Sequence, residues 1–274
     1  MPKDRCASAD QPSPFAESNY RAALVVAHPG HEMRVHGWLE AACPAVFVLT
    51  DGSGRASRSR LASTERLLSR AGAQPGTIFG RTTDRRLYDR LLRRDCDWFD
   101  ALTDELADEL IRLDVDTVVG DPREAAIMAH DVLHGVIDAA IDRVAARTGR
   151  LLASYAFPLD LSPLACPAQS RAISHCVALD NAAYRRKLAA ARDYSELQDE
   201  VDAALSKYGP DSFRHNLLFP VSRDGLCCDN ATKPAYETHG EQLVAQGVYP
   251  DVVRWSDHVH PLLSALGATY AEVA

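Results

Sequence analysis

LVVAHPGHE, residues 24–32, begins as an unbroken apolar run and ends in two imidazoles, a proline, a glycine and a carboxylate. The run is short and rich in β-branched valine, which reads as a strand buried on both faces, the kind found inside parallel sheets. Pro29 and Gly30 then force a tight turn, so His28 leaves the strand end while His31 enters the first turn of the next helix. Two imidazoles three residues apart on such a turn can converge on one ion.

Working outward, the same alternation continues. Apolar runs at 22–27, 46–50, 77–79, 115–119 and 151–156 are expected strands. Between them lie helix-length amphipathic segments at about 32–43, RSRLASTERLLSRAG (58–72), WFDALTDELADELIRL (98–113) and DVLHGVIDAAIDRVAARTG (131–149). Strands alternating with helices of this length argue for βαβ units and an α/β fold with a parallel sheet. In such sheets ligands bind outside the carboxyl ends of the strands, so the residues just past each strand carry the functional interest. Beyond Phe157 the texture changes to a proline-rich stretch and then a long helical one, 181–209. The organisation expected is a flexible leader at 1–18, an α/β core at 19–157 and a mixed C-terminal extension at 158–274 packed over the active edge of the sheet, as part of the same globule.

A net charge of −8 on 274 residues gives no electrostatic support for binding nucleic acid or an anionic membrane surface, and points to a small-molecule partner. No stretch reaches the roughly 18 apolar residues of a membrane span, and the first residues lack the apolar core of a signal peptide, so a cytoplasmic protein is expected. The seven cysteines contain no CxxC pair; Cys227 and Cys228 read as incidental thiols. Any metal must therefore be held by histidine and carboxylate.

After the second strand comes Asp51 in TDGSGR, a loop without the order of a phosphate-binding motif. Arg55, Arg58 and Arg60 follow it and are candidates for gripping a substrate phosphate or carboxylate, or for a solvated helix start. After the VDTVVG strand come Asp121 and then His130-Asp131 at a helix entrance. His130 stands at the active edge and is the better ligand; His134 falls one turn before Asp138 and reads as half of a surface ion pair, with an HxxxH zinc pair as the alternative. His36 reads likewise as a four-residue partner of Glu32. In the second half, Arg214, His215 and Asn216, and then Tyr236, Glu237, His239 and Glu241, form polar clusters suited to a polyhydroxylated ligand or to plain polar surface. His258 and His260 read as packing or surface residues.

VVAHPGHE, TDGSG, VDTVVGD and the histidine opening the following helix occur in an order that resembles the LmbE-like, or PIG-L, family of zinc-dependent de-N-acetylases, over roughly the first 155 residues. The resemblance implies a Rossmann-like sheet and hydrolysis of an N-acyl group on a polar, sugar-like or specialised metabolite, with Zn2+ activating the water. In the family motif AHPDDE the histidine and second aspartate bind zinc and the first aspartate is the general base; a later histidine completes the shell. Matched onto this chain, His28, His31 and His130 fall on the ligands, and Gly30 falls on the base. A histidine in place of a carboxylate ligand is chemically tolerable. The missing base requires a replacement, for which Glu32, Asp131 and Asp51 are the nearby carboxylates, with His239 as the group protonating the leaving amine or steadying an oxyanion. The second ring nitrogens of the ligands call for partners, with Asp51, Asp121 and Asp131 at hand. Substrate-facing candidates are Asp51, Arg55, Arg58, Arg60, His215, Tyr236 and Glu237. The other readings are a metal-binding relative that does lyase-like chemistry, and a non-catalytic ligand-binding protein.

Overall fold

Strand β1 (Ala22–Val26) is buried along its whole length, as a strand covered on both faces must be. Successive side chains alternate between two apolar clusters, Ala23 and Val25 on one side, Leu24 and Val26 on the other. The structure is a computed structural model and describes residues 21–54, 57–165, 175–221 and 233–267. The expected leader, Arg55, Cys166, Cys227 and Cys228 lie outside the described residues.

From β1 the chain runs through a 3-10 turn, His31–Met33, and helix α1 (His36–Ala42) to β2 (Ala45–Thr50), α2 (Leu61–Ala71) and β3 (Gln74–Thr82). It then passes through α3 (Asp84–Arg93) and α4 (Cys96–Arg112) to β4 (Thr117–Gly120), α5 (Met128–Thr148) and β5 (Ala153–Ala156). These five strands pair in parallel in the order β3-β2-β1-β4-β5. The chain winds outward from β1 in one direction and returns to its other side at β4. The gap beyond the ends of β1 and β4 is therefore the switch point where such sheets bind ligands.

The second half is more than a cover. β6 (His175–Ala178) and β7 (His215–Pro220) continue the sheet, β7 antiparallel to both β5 and β6, so the seven-stranded sheet is mixed and mostly parallel. Between them α6 (Asn181–Asp193) and α7 (Gln198–Tyr208) cross the face carrying α1, and α8 (Ala235–Ala245) and α9 (His260–Ala265) close the chain. β3 extends well beyond 77–79 because it is an edge strand, half exposed, where Pro75 and two glycines are tolerated and no apolar run marks the ends. Among the described residues no helix is long and apolar enough to cross a membrane.

Candidate metal centre

At the β1/β4 switch point three imidazole rings form a triangle. Ring centroids lie 5.3 Å apart for His28 and His31, 5.4 Å for His28 and His130, and 4.7 Å for His31 and His130. His28 sits on the turn after β1 and His31 opens the 3-10 turn, while His130 occupies the first turn of α5. Gly30 makes the turn possible: its φ of 110° is closed to ordinary L side chains.

The His28 and His31 rings are held from behind through Nδ1, and a carboxylate lies beside the same nitrogen of His130. Thr50 Oγ1 donates to the Ala27 carbonyl, so with one hydrogen it must accept from His28 Nδ1, 2.8 Å away. Asp84 Oδ1 lies 3.0 Å from the same nitrogen. His31 Nδ1 donates to the Asp121 carboxylate, 2.9 and 3.0 Å from its two oxygens. His130 Nδ1 lies 3.3 Å from Asp160 Oδ2, outside hydrogen-bond alignment. For His28 and His31 these acceptors fix the tautomer with the proton on Nδ1, leaving a lone pair on Nε2. His130 Nε2 is buried without any hydrogen-bond partner.

Burial pushes the Asp84, Asp121 and Asp160 carboxyls up, but the adjoining imidazoles and hydrogen bonds outweigh it and hold all three below the ordinary carboxylate range. An orphaned buried nitrogen, facing imidazoles and braced tautomers are the donor set of a divalent-cation site. His31, Asp121 and His130 bring ligand atoms within 4.8 Å of one another. Asp121 already accepts from His31 and, at 2.7 Å, from the Ala27 N–H, so its first role is to orient His31 and place negative charge beside the cation. Asp121→Asn offers His31 an N–H as well as an oxygen and loosens that choice of tautomer. Its affinity for a divalent cation, read by competition with a chromophoric chelator, should fall about 10–100-fold.

Two cavities meet at this triangle, and His28, Arg60 and Ile127 line both. One, of about 300 Å³, is bounded by apolar side chains including Met33, Leu159, Leu188, Leu197 and Leu205. The other, of about 690 Å³, is bounded by Asp51, Ser53, Asp84 and Arg85 among others.

Several expected residues lie elsewhere. Glu32 is fully buried; it accepts from the Gly30 N–H at 2.7 Å and from Thr64 Oγ1 at 2.8 Å, and burial raises its pKa to about 7. It braces the turn and reaches neither cavity wall. Asp131 is buried and accepts from the Ala125 N–H, closing its own loop. His239 is exposed on α8, because YETHG is helix rather than turn and the inward positions fall to Tyr236, Glu237 and Gly240. Tyr236 and Glu237 line neither cavity, and Glu237 instead accepts from the Trp255 N–H at 2.8 Å, tying α8 to the following segment. His215 opens β7 and Arg58 is exposed; neither lines either of these two cavities, whereas Asp51 and Arg60 do.

His134 is buried rather than at the surface: Nδ1 donates to the Asp121 carbonyl at 3.0 Å, with Asp138 3.7 Å from Nε2. His36 faces Glu40 at 4.0 Å, not Glu32, because the 3-10 turn breaks the helical register between 32 and 36. The ring partners are Asp84, Asp121 and Asp160 rather than Asp51, Asp121 and Asp131. Asp84 and Asp160 were findable by their places just past β3 and β5.

No protein-family model matches the chain, and no curated protein matches it. Among solved structures it is similar to a deacetylase triple mutant involved in the teicoplanin biosynthetic pathway, with 12% identity over 74% of this chain and 98% of that one, and a TM-score of 0.46. It is similar also to the A40926 pseudoaglycone deacetylase Dbv21, with 16% identity over 73% and 96% of the two chains and a TM-score of 0.42. For the zinc-inhibited form of the teicoplanin deacetylase Orf2 the identity is 12% over 74% and 98%, with a TM-score of 0.41.

Proposed function

We propose that this protein is a zinc-dependent amide hydrolase that removes an N-acyl group from a polar small molecule, with His28, His31 and His130 as the metal ligands. The observation that carries the reading is the triangle of imidazoles with its buried, unpartnered His130 Nε2, set where an apolar and a polar cavity meet. Zinc bound by imidazoles with an open position supplies a water whose pKa is lowered to about 7.

The remaining chemistry falls to the chain. Thr50 and Asp121 hold the His28 and His31 rings, and Asp84, Asp121 and Asp160 place negative charge beside all three. The apolar cavity receives the acyl group and excludes water from it, while the polar cavity, with Asp51 and Arg60 on its wall, receives the amine-bearing body. Gly30 offers no base. Of the carboxylates at the centre, Asp160 borders the apolar cavity and has a side chain 33% exposed, so it is the one placed to take a proton there, a weak base while His130 holds its pKa down.

The bare position at Gly30 also supports a second reading, a protein that binds metal and ligand without hydrolysing an amide. Elemental analysis of zinc-supplemented protein, together with amine release from a panel of N-acyl amino sugars, separates the two. Stoichiometric zinc with amine release is expected; zinc without release favours the second reading, and no zinc rejects both.

A further inference from the structure

The apolar cavity holds two cations that the chemistry above leaves unused. Lys187, on α6, is only 5% exposed, and its Nζ donates to a single acceptor, the Arg34 carbonyl at 2.9 Å. Arg34, past the 3-10 turn, donates through Nη2 to the Leu159 carbonyl at 2.5 Å, while its buried Nη1 has no partner. Both side chains line the cavity and flank Phe213, the Arg34 Cζ 5.5 Å and the Lys187 Nζ 5.9 Å from its ring centroid.

The other charges on this wall are accounted for: Asp160 faces His130 at 3.3 Å and Glu200 lies 4.0 Å from Arg60. Neither Lys187 nor Arg34 forms an ion pair among the described residues. Burial, with Arg34 nearby, lowers the Lys187 pKa to about 7. For Lys187 no acidic group offsets the burial, whereas Arg34 also feels Asp160 and Glu124. A buried lysine charge without a counter-charge is costly, and an anion entering the cavity removes that cost.

We propose that Lys187 and Arg34 form a carboxylate-binding subsite, and that the cavity takes a short apolar acyl chain carrying an anionic group. That the chain is an acyl group rests on the amide-hydrolase reading; that the subsite binds a carboxylate does not. Lys187 has two N–H donors to spare, and Arg34 adds those of Nη1. This small set suits the two oxygens of a carboxylate better than the three of a phosphate. A volume of about 300 Å³ is at the small end for ligand pockets, which suits a short chain rather than a whole sugar.

Calorimetric titration with hexanoate and with hexanamide, equal in length and different in charge, tests the subsite without turnover. Wild type should bind hexanoate at least about tenfold tighter than hexanamide. Lys187→Met, close in size and apolar, should lose that preference while still binding hexanamide, and Arg34→Gln should reduce it. Equal binding of the two probes by wild type overturns the subsite. So does a preference that survives in Lys187→Met and vanishes in His130→Ala, which would place the anion at the histidines. A protein that releases no amine can pass this test, and one that releases it can fail, so the two readings stand or fall separately.

Discussion

His130→Ala and His31→Ala should purify without stoichiometric zinc and release amine more than about 10²-fold more slowly than wild type. The bound is set by comparison: replacing a residue that merely orients a ligand costs about 10–100-fold in affinity or activity, and removing the ligand itself costs more. Neither His134 nor Glu32 can substitute. His134, one turn along α5, has Nδ1 committed to the Asp121 carbonyl and Nε2 facing Asp138, and Glu32 is spent on the turn. Metal content after dialysis and amine release are the measurements. Variants that hold zinc as tightly as wild type would remove these imidazoles from the ligand set.

Gly30→Asp, which puts an aspartate where the family this sequence resembles carries its base, should destabilise the protein and leave amine release no faster. A Cβ built on Gly30 falls 2.3 Å from Leu197 Cδ1, and the backbone there has a φ of 110°. The strained conformation costs about 1–3 kcal/mol, and the Leu197 methyl, the far end of a side chain bordering the cavity, must also turn aside at a smaller cost. Leu197→Ala in the same chain clears the contact and leaves the backbone strain, so the double variant should recover part of the loss. Chemical denaturation reads both. A Gly30→Asp protein as stable as wild type and faster in amine release would mean that the missing carboxylate, rather than the strained turn, limits that release.

The parallel core was legible because continuous apolar strands and amphipathic helices have different periods, and AALVV and TVVG carry no polar residue that would blur them. The histidine triangle was legible because two of its members share one turn and the third opens the helix after the paired strand. The carboxylates behind the rings were only half visible. The rule of examining residues just past each strand reaches Asp51, Asp84, Asp121 and Asp160 alike, and cannot tell which of them turns toward an imidazole. That depends on strand order, which brings β4 beside β1 and sets β3 two strands away. His239 gave no sign of its exposure, since Gly240 in YETHGEQLV marks no turn but the point where α8 packs closely on Val252. Lys187 gave no signal, since a lysine in RRKLAAARD looks like solvated helix until β6 and β7 draw α6 over the cavity.

The bracing of the rings has a consequence for the order of events during folding. Asp84 lies beside His28, Asp121 beside His31 and Asp160 beside His130, so each imidazole faces a carboxylate just past a different strand, and the His31 pair is 90 residues apart along the chain. Contacts so distant in sequence close late, after loop entropy has been overcome by the growing sheet. An unfolded or half-paired chain therefore holds the same histidines without the carboxylates that aim them. Metal capture by this protein should then lag behind helix formation in a refolding experiment and coincide with the final docking of β4 against β1, which makes the ion a clock for the last step of assembly.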